Sequence, residues 1–219
     1  TGGQCELQAH LAPGQPLARS EAGESQKGGA GKTTLAVHLA VAAHKRGLKV
    51  AVLDTDPQES ACIWAKAREA DEPTVAPMSP TKLKAALEKA RAEGFDVVIV
   101  DTAPNAGTDA VDVAALATKV VIPVRPAVFD LSAAKRTIEI VRKAGVDSLL
   151  VLSACPHRAP EIMMAREALG LSGLPVAETA IGDRRPYARA VQTGRAVIEF
   201  EPDGKAAEEI NALLLEVLA

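Results

Sequence analysis

What most constrains how this chain can fold is a series of short, nearly uninterrupted apolar runs at residues 48–53 (LKVAVL), 95–100 (FDVVIV), 120–124 and 149–152. Strands that face water on one side alternate apolar and polar residues. Strands this uniformly apolar are covered on both sides, as in a parallel sheet flanked by helices. Helical stretches lie between and after the runs. One spans 32–46 and stops at Gly47, one lies around 59–70, and one is capped by Ser79 and started by Pro80. Others are expected near 109–118, 131–144, 160–169, 186–193 and 205–218, with a short strand near Val75. The pattern predicts an α/β fold: a single doubly wound domain, its mostly parallel sheet flanked by helices, without internal repeats.

Composition narrows the function. With 47% hydrophobic and 24% charged residues the chain can bury a substantial core. Aromatic residues make up only 2%, too few for the stacking platforms that grip single-stranded nucleic acid. A net charge of −3 argues against a generally basic nucleic-acid-binding domain and leaves room only for a local basic face. Cys5, Cys62 and Cys155 show no metal or redox spacing. No apolar run reaches the roughly 20 residues of a membrane span, and no signal peptide is recognisable, so a cytoplasmic location is expected.

Residues 27–34, KGGAGKTT, immediately precede the first helical stretch and approximate the spacing G-x-x-x-x-G-K-[ST] with its first glycine relaxed. Glycines let consecutive backbone N–H groups curl around phosphate oxygens, and the helix presents its positive end to them. Lys32 is placed to reach the β- and γ-phosphates, Thr33 to ligate Mg²⁺ and Thr34 to meet the α-phosphate. The bland alternative is a glycine turn that merely starts a helix. Against it, Asp101 follows FDVVIV and Asp54 follows VAVL, with Asp56 in the DTDPQ that Asp54 opens. Carboxylates at the ends of buried strands, downstream of GKTT, suit metal-assisted phosphoryl transfer.

KGGAGKTT, DTDPQ and VVIVDTAP in this order resemble the ParA family of partition ATPases, the deviant Walker A group of P-loop NTPases that also contains MinD-like proteins. The resemblance covers residues 25–219 and is to the small type without an N-terminal DNA-binding domain. It implies a weak intrinsic ATPase that uses ATP and Mg²⁺. Lys27 corresponds to the signature lysine that crosses a nucleotide-sandwich homodimer. The nucleotide lies among Lys27, Gly28, Gly29, Ala30, Gly31, Lys32, Thr33, Thr34 and Ser153. Lys27, Lys32 and Asp56 are catalytic, with Asp56 positioning the attacking water. Thr33, Asp54 and Asp101 serve the metal, Asp54 as an acidic neighbour of its shell. The ATP-bound dimer is expected to bind DNA without sequence preference, with Arg184, Arg185, Arg189 and Arg195 as the basic face, or equally a merely solvated one. A ParB-like activator then stimulates hydrolysis and release, and the protein is nucleoid-associated. Alternatives are a ParA-like ATPase that positions a protein cargo, or a non-catalytic nucleotide-binding remnant. The acidic 208–219 segment speaks against membrane attachment, and the cysteine pattern against an iron–sulfur reductase.

Relatives place a buried strand directly before the glycine loop. Here residues 17–24 (LARSEAGE) carry two glutamates and an arginine, which a strand buried on both faces cannot accommodate. Residues 1–24 are therefore expected to be irregular or disordered, with the first strand missing. A shifted reading frame, a truncated gene or a mis-set start would account for them. Ser153 stands where similar proteins often carry an Asn near the adenine, and offers a shorter hydrogen-bonding arm.

Overall fold

The apolar runs form the strands of one sheet in a computed structural model that describes residues 7–12, 15–19, 31–102, 110–157 and 160–219. In chain order the elements are β1 (Leu7–Ala12), β2 (Gln15–Arg19), α1 (Lys32–Lys45), β3 (Val50–Asp54), α2 (Ser60–Lys66) and β4 (Thr74–Pro77). A 3₁₀ turn (Pro80–Lys82) leads into α3 (Leu83–Ala92), followed by β5 (Val97–Asp101), α4 (Ala110–Ala115), β6 (Lys119–Val124), α5 (Val128–Ala144) and β7 (Asp147–Leu152). The chain ends with α6 (Glu161–Gly170), α7 (Arg185–Gln192), the single turn α8 (Val197–Phe200) and α9 (Lys205–Leu218).

The sheet runs β4-β3-β5-β1-β6-β7, with β2 paired to β1. Pairing is parallel between β3 and β4, β3 and β5, and β6 and β7. Because strand side chains alternate between faces, each apolar run feeds two cores. Val50, Val52, Val97, Ile99, Val121 and Val151 face α1, α7, α8 and α9. Ala51, Leu53, Val98 and Val100 meet α3, while Ile122, Val124, Leu150 and Leu152 meet α5 and α6. Helix α1 is the central one: every residue from Leu35 to Ala43 is buried. α9 covers it through Ile210, Leu213, Leu214 and Val217, spaced three and four apart as one helical stripe.

Within residues 1–24, expected to be irregular with the first strand missing, the described residues 7–12 and 15–19 are strands: β1 occupies the central slot between β5 and β6, antiparallel to both, in the register Ala9↔Ile99 and Leu7↔Val121. The facing edges of β5 and β6 carry buried N–H and C=O groups that need partners, and an antiparallel segment satisfies them as a parallel one would. Scoring apolar content alone misses a strand recruited for its backbone.

Candidate nucleotide site

The site lies where the parallel strands end. Gly31 caps α1 in the left-handed conformation (φ +78), and its carbonyl accepts the Leu35 amide at 2.7 Å. A side chain there would be strained, and its Cβ would stand 3.6 Å from Ser153 Oγ. The turn thus brings the N-terminus of α1 beside the end of β7. Lys32 opens the helix and is only 8% exposed, its Nζ donating to the Thr102 carbonyl at 3.3 Å. This holds a cation at the positive end of a helix, a place built for an anion. Thr33 and Thr34 follow, half-buried. Lys27, Gly28, Gly29 and Ala30 lie outside the described residues.

Strand register supplies the acids. β3 and β5 pair so that Asp54 stands beside Asp101 at the carboxyl edge of the sheet. Thr55 locks that edge, donating its amide (2.7 Å) and its hydroxyl (2.9 Å) to the Asp101 carbonyl. The Asp101 side chain is fully buried, and neither carboxylate oxygen makes a well-formed hydrogen bond among the described residues. Burial pushes its pKa up to about 7, against the pull of the neighbouring Thr33 hydroxyl, with repulsion from Asp54 adding to the rise and Lys32 opposing it. Asp54 differs in that its oxygens are engaged. Oδ1 accepts the Asp56 amide (3.1 Å) and Oδ2 the amides of Ala61 (2.9 Å) and Cys62 (3.1 Å), so it ties the loop to the start of α2. Burial raises its pKa as well, and those amides oppose the shift. Asp56 is half-buried at the rim, one oxygen accepting the Gln58 amide at 2.8 Å.

An orphaned buried carboxylate beside a threonine hydroxyl is a hard oxygen donor set of the kind Mg²⁺ takes. Among the described residues no group of three or more His, Cys, Asp or Glu side chains could hold a metal.

A cleft of about 170 Å³ adjoins the glycine turn, lined among others by Thr34, His38, Ser153, Asp183, Arg184 and Tyr187. Ser153 lines this cleft beside the glycine turn. The arginines divide. The guanidinium of Arg184 is committed to Glu209 through Nε (2.8 Å) and Nη2 (2.6 Å), and Tyr187 donates its hydroxyl to the same carboxylate at 3.0 Å. Arg184 is thus a wall of the cleft rather than part of a free basic face, because its charge is neutralised by α9. Arg185, Arg189 and Arg195 are exposed. Tyr187, Asp183 and His38 were missed as cleft residues: α7 and the loop before it reach the site only through the tertiary packing of the C-terminal segment, and nothing local marks them.

A buried helix-start lysine, a left-handed glycine turn and paired strand-end acids on a parallel sheet define a nucleotide-binding α/β protein of the P-loop class. The family model described as CobQ/CobB/MinD/ParA nucleotide binding domain matches residues 23–197, and the chain belongs to that family, whose ParA and MinD branches are P-loop ATPases. It is 32% identical over 215 residues to the Maintenance of carboxysome distribution protein A of Gloeobacter kilaueensis, covering 92% of this chain and 93% of that protein. To the chromosome-partitioning ATPase Soj of Thermus thermophilus it is 27% identical over 236 residues, covering 89% and 93%. The septum site-determining protein MinD of Pyrococcus horikoshii, solved with Mg-ADP, superposes with a TM-score of 0.71 at 17% identity, covering 92% and 95%, and so shares the fold.

Proposed function

We propose that the chain is an ATP-driven positioning switch that holds Mg-ATP between the α1 start and the carboxyl edge of β3 and β5, and that hydrolysis resets it. The observation that carries this reading is Asp101: a fully buried carboxylate with no well-formed hydrogen bond among the described residues, set beside Thr33 and Lys32, suits a metal site. Lys32 would neutralise the terminal phosphates, and Thr33 and Asp101 would hold Mg²⁺, which when bound spreads the charge of the phosphoryl oxygens. Asp54, whose oxygens accept the Asp56, Ala61 and Cys62 amides, would hold the loop beside the metal site, and Asp56, half-buried at the rim with one oxygen on the Gln58 amide, would orient the attacking water with the other. Lys27 would reach across an ATP-bound homodimer to the partner's phosphates.

The cargo we favour is a protein assembly, engaged through an adaptor that stimulates hydrolysis, because a relative sharing 32% identity over nearly its whole length carries a carboxysome-distribution name. Partition of a replicon is the second reading, supported by the relative named chromosome-partitioning ATPase. In both, exposed Arg185, Arg189 and Arg195 would contact DNA phosphates, doubled in the dimer and therefore steeply salt-dependent. Phosphate release from Mg-ATP, measured with and without DNA, tests the reading. Turnover that vanishes in Asp56→Ala while nucleotide still binds is expected, and binding without any turnover would leave the non-catalytic remnant instead.

A further inference from the structure

Helix α2 has only seven residues, yet each end is fastened to a different part of the molecule. At its start, Asp54 Oδ2 accepts the Ala61 and Cys62 amides, and Glu59 caps the helix at φ +48, a left-handed conformation costly for a residue with a side chain. Just beyond its end, Arg68 has a side chain only 5% exposed. It forks onto Glu199 through Nη1 (2.8 Å) and Nη2 (2.7 Å), and Nη1 also donates to the Gly194 carbonyl at 3.0 Å. Its guanidinium stands 5.2 Å from the centroid of the Trp64 ring, and Trp64 Nε1 donates to the Arg195 carbonyl at 3.2 Å. Gly194 packs so closely that a Cβ would come within 2.4 Å of the Ala67 backbone.

One face of this short helix therefore begins at the loop that holds Asp54 and Asp56 and ends at the α7–α8 turn that holds Arg195 and follows Arg189. A nearly buried arginine–glutamate fork is weak as a stabiliser, because desolvation offsets most of the attraction; what it supplies is fixed geometry. Seven residues form no stable helix alone, so α2 takes its position from tertiary contacts: the burial of Ala61 and Trp64 in the core and its two end attachments.

We propose that α2 is a rigid link by which occupancy of the nucleotide site repositions the Arg189–Arg195 turn, with Arg68 and Trp64 as its positioning residues. The inference rests on the nucleotide-site reading above. A displacement at Asp54 or Asp56 moves the first turn of α2, and the Arg68 fork and the Trp64 indole carry it to the backbone of residues 194 and 195. Thermodynamic linkage makes the coupling reciprocal, so a phosphate backbone held by Arg189 and Arg195 would tighten nucleotide binding by the same factor.

Trp64 is the single tryptophan of the chain, so fluorescence excited beyond the absorption of the one tyrosine, Tyr187, reads the link alone. The experiment titrates the full chain with Mg-ATP, following Trp64 emission and, separately, calorimetric binding. Expected is a saturable emission change with the calorimetric midpoint. Arg68→Gln should bind nucleotide within about two-fold of wild type but lose most of the emission change and most of the DNA-dependent tightening, which typical couplings place at about five-fold or more. Arg68→Lys, which keeps the charge without the fork, should recover only part of it. Should Arg68→Gln unfold by circular dichroism, Glu199→Gln removes the same fork from the other side. Calorimetric binding with silent Trp64, or an emission change that survives loss of the fork, overturns the link while leaving the proposed function standing. Absence of calorimetric binding removes both.

Discussion

Asp101 is the residue on which stability and function pull apart. A buried carboxylate with no well-formed hydrogen bond among the described residues costs folding energy that a bound cation would return. Asp101→Asn should therefore raise the stability of the nucleotide-free protein by ~1–3 kcal/mol in urea melts at pH 8, while abolishing the stabilisation that Mg-ATP confers. Unchanged protection by Mg-ATP in that variant would remove Asp101 from the metal site. His38 poses a different question. It is fully buried on α1, its Nδ1 accepts the Val197 amide at 3.3 Å, and desolvation lowers its pKa from 6.5 to about 3 despite the Tyr187 backbone and Glu199. Below its unfolded pKa the unfolded chain takes up a proton that the folded chain refuses. Its contribution is therefore complete above pH 6.5 and is lost as pH falls toward 3, with a slope of at most ~1.4 kcal/mol per pH unit. Stability measured from pH 7 to 5 should fall less steeply in His38→Gln than in wild type.

Among the elements, two glycines at positive φ, Gly31 at the site and Gly194 against the end of α2, differ in what they tolerate. Gly31 has φ +78, and a Cβ added there would stand 3.6 Å from Ser153 Oγ, so Gly31→Ala meets strain but no clash and should cost about 1 kcal/mol. Gly194 has φ +65 and backbone atoms of Ala67 and Arg68 at 2.4 Å from the same added atom, which cannot yield as a flexible side chain would. Gly194→Ala should cost roughly 3 kcal/mol or more, and equal melting temperatures for the two variants would contradict the close seating of the α7–α8 turn on α2. Helix α1 shows why periodicity alone is a poor guide to its surroundings: it is buried all round between the sheet, α7 and α9, so no polar face marks it. Its start and stop are nevertheless legible, from the glycine–lysine entry and Gly47. The helix predicted around 59–70 ends at Lys66, capped by Ala67, and Arg68 just beyond it reaches Glu199.

For the whole molecule, a ligand that binds only the folded state stabilises it by mass action. At one hundred times its dissociation constant Mg-ATP should add ~2.7 kcal/mol. For a domain of this size that corresponds to about 5–10 °C in melting temperature. Lys32→Ala should cancel the shift, and an undiminished shift would place the phosphates elsewhere. The sequence by itself determined most of the sheet and its carboxyl edge, because short runs rich in β-branched residues and bounded by turn residues read as strands covered on both faces, and because Asp54 and Asp101 sit at the ends of two of those runs. It also determined the family, through motifs whose order and spacing are local. Tertiary structure alone decided the rest. Pairing of unsatisfied backbone edges recruited residues 7–12 into the sheet against their composition. Folding of the C-terminal helices over α1 set Tyr187 and Asp183 at the cleft, turned Arg184 inward to Glu209 and brought Arg68 to Glu199, contacts between residues far apart in the chain that no local pattern records.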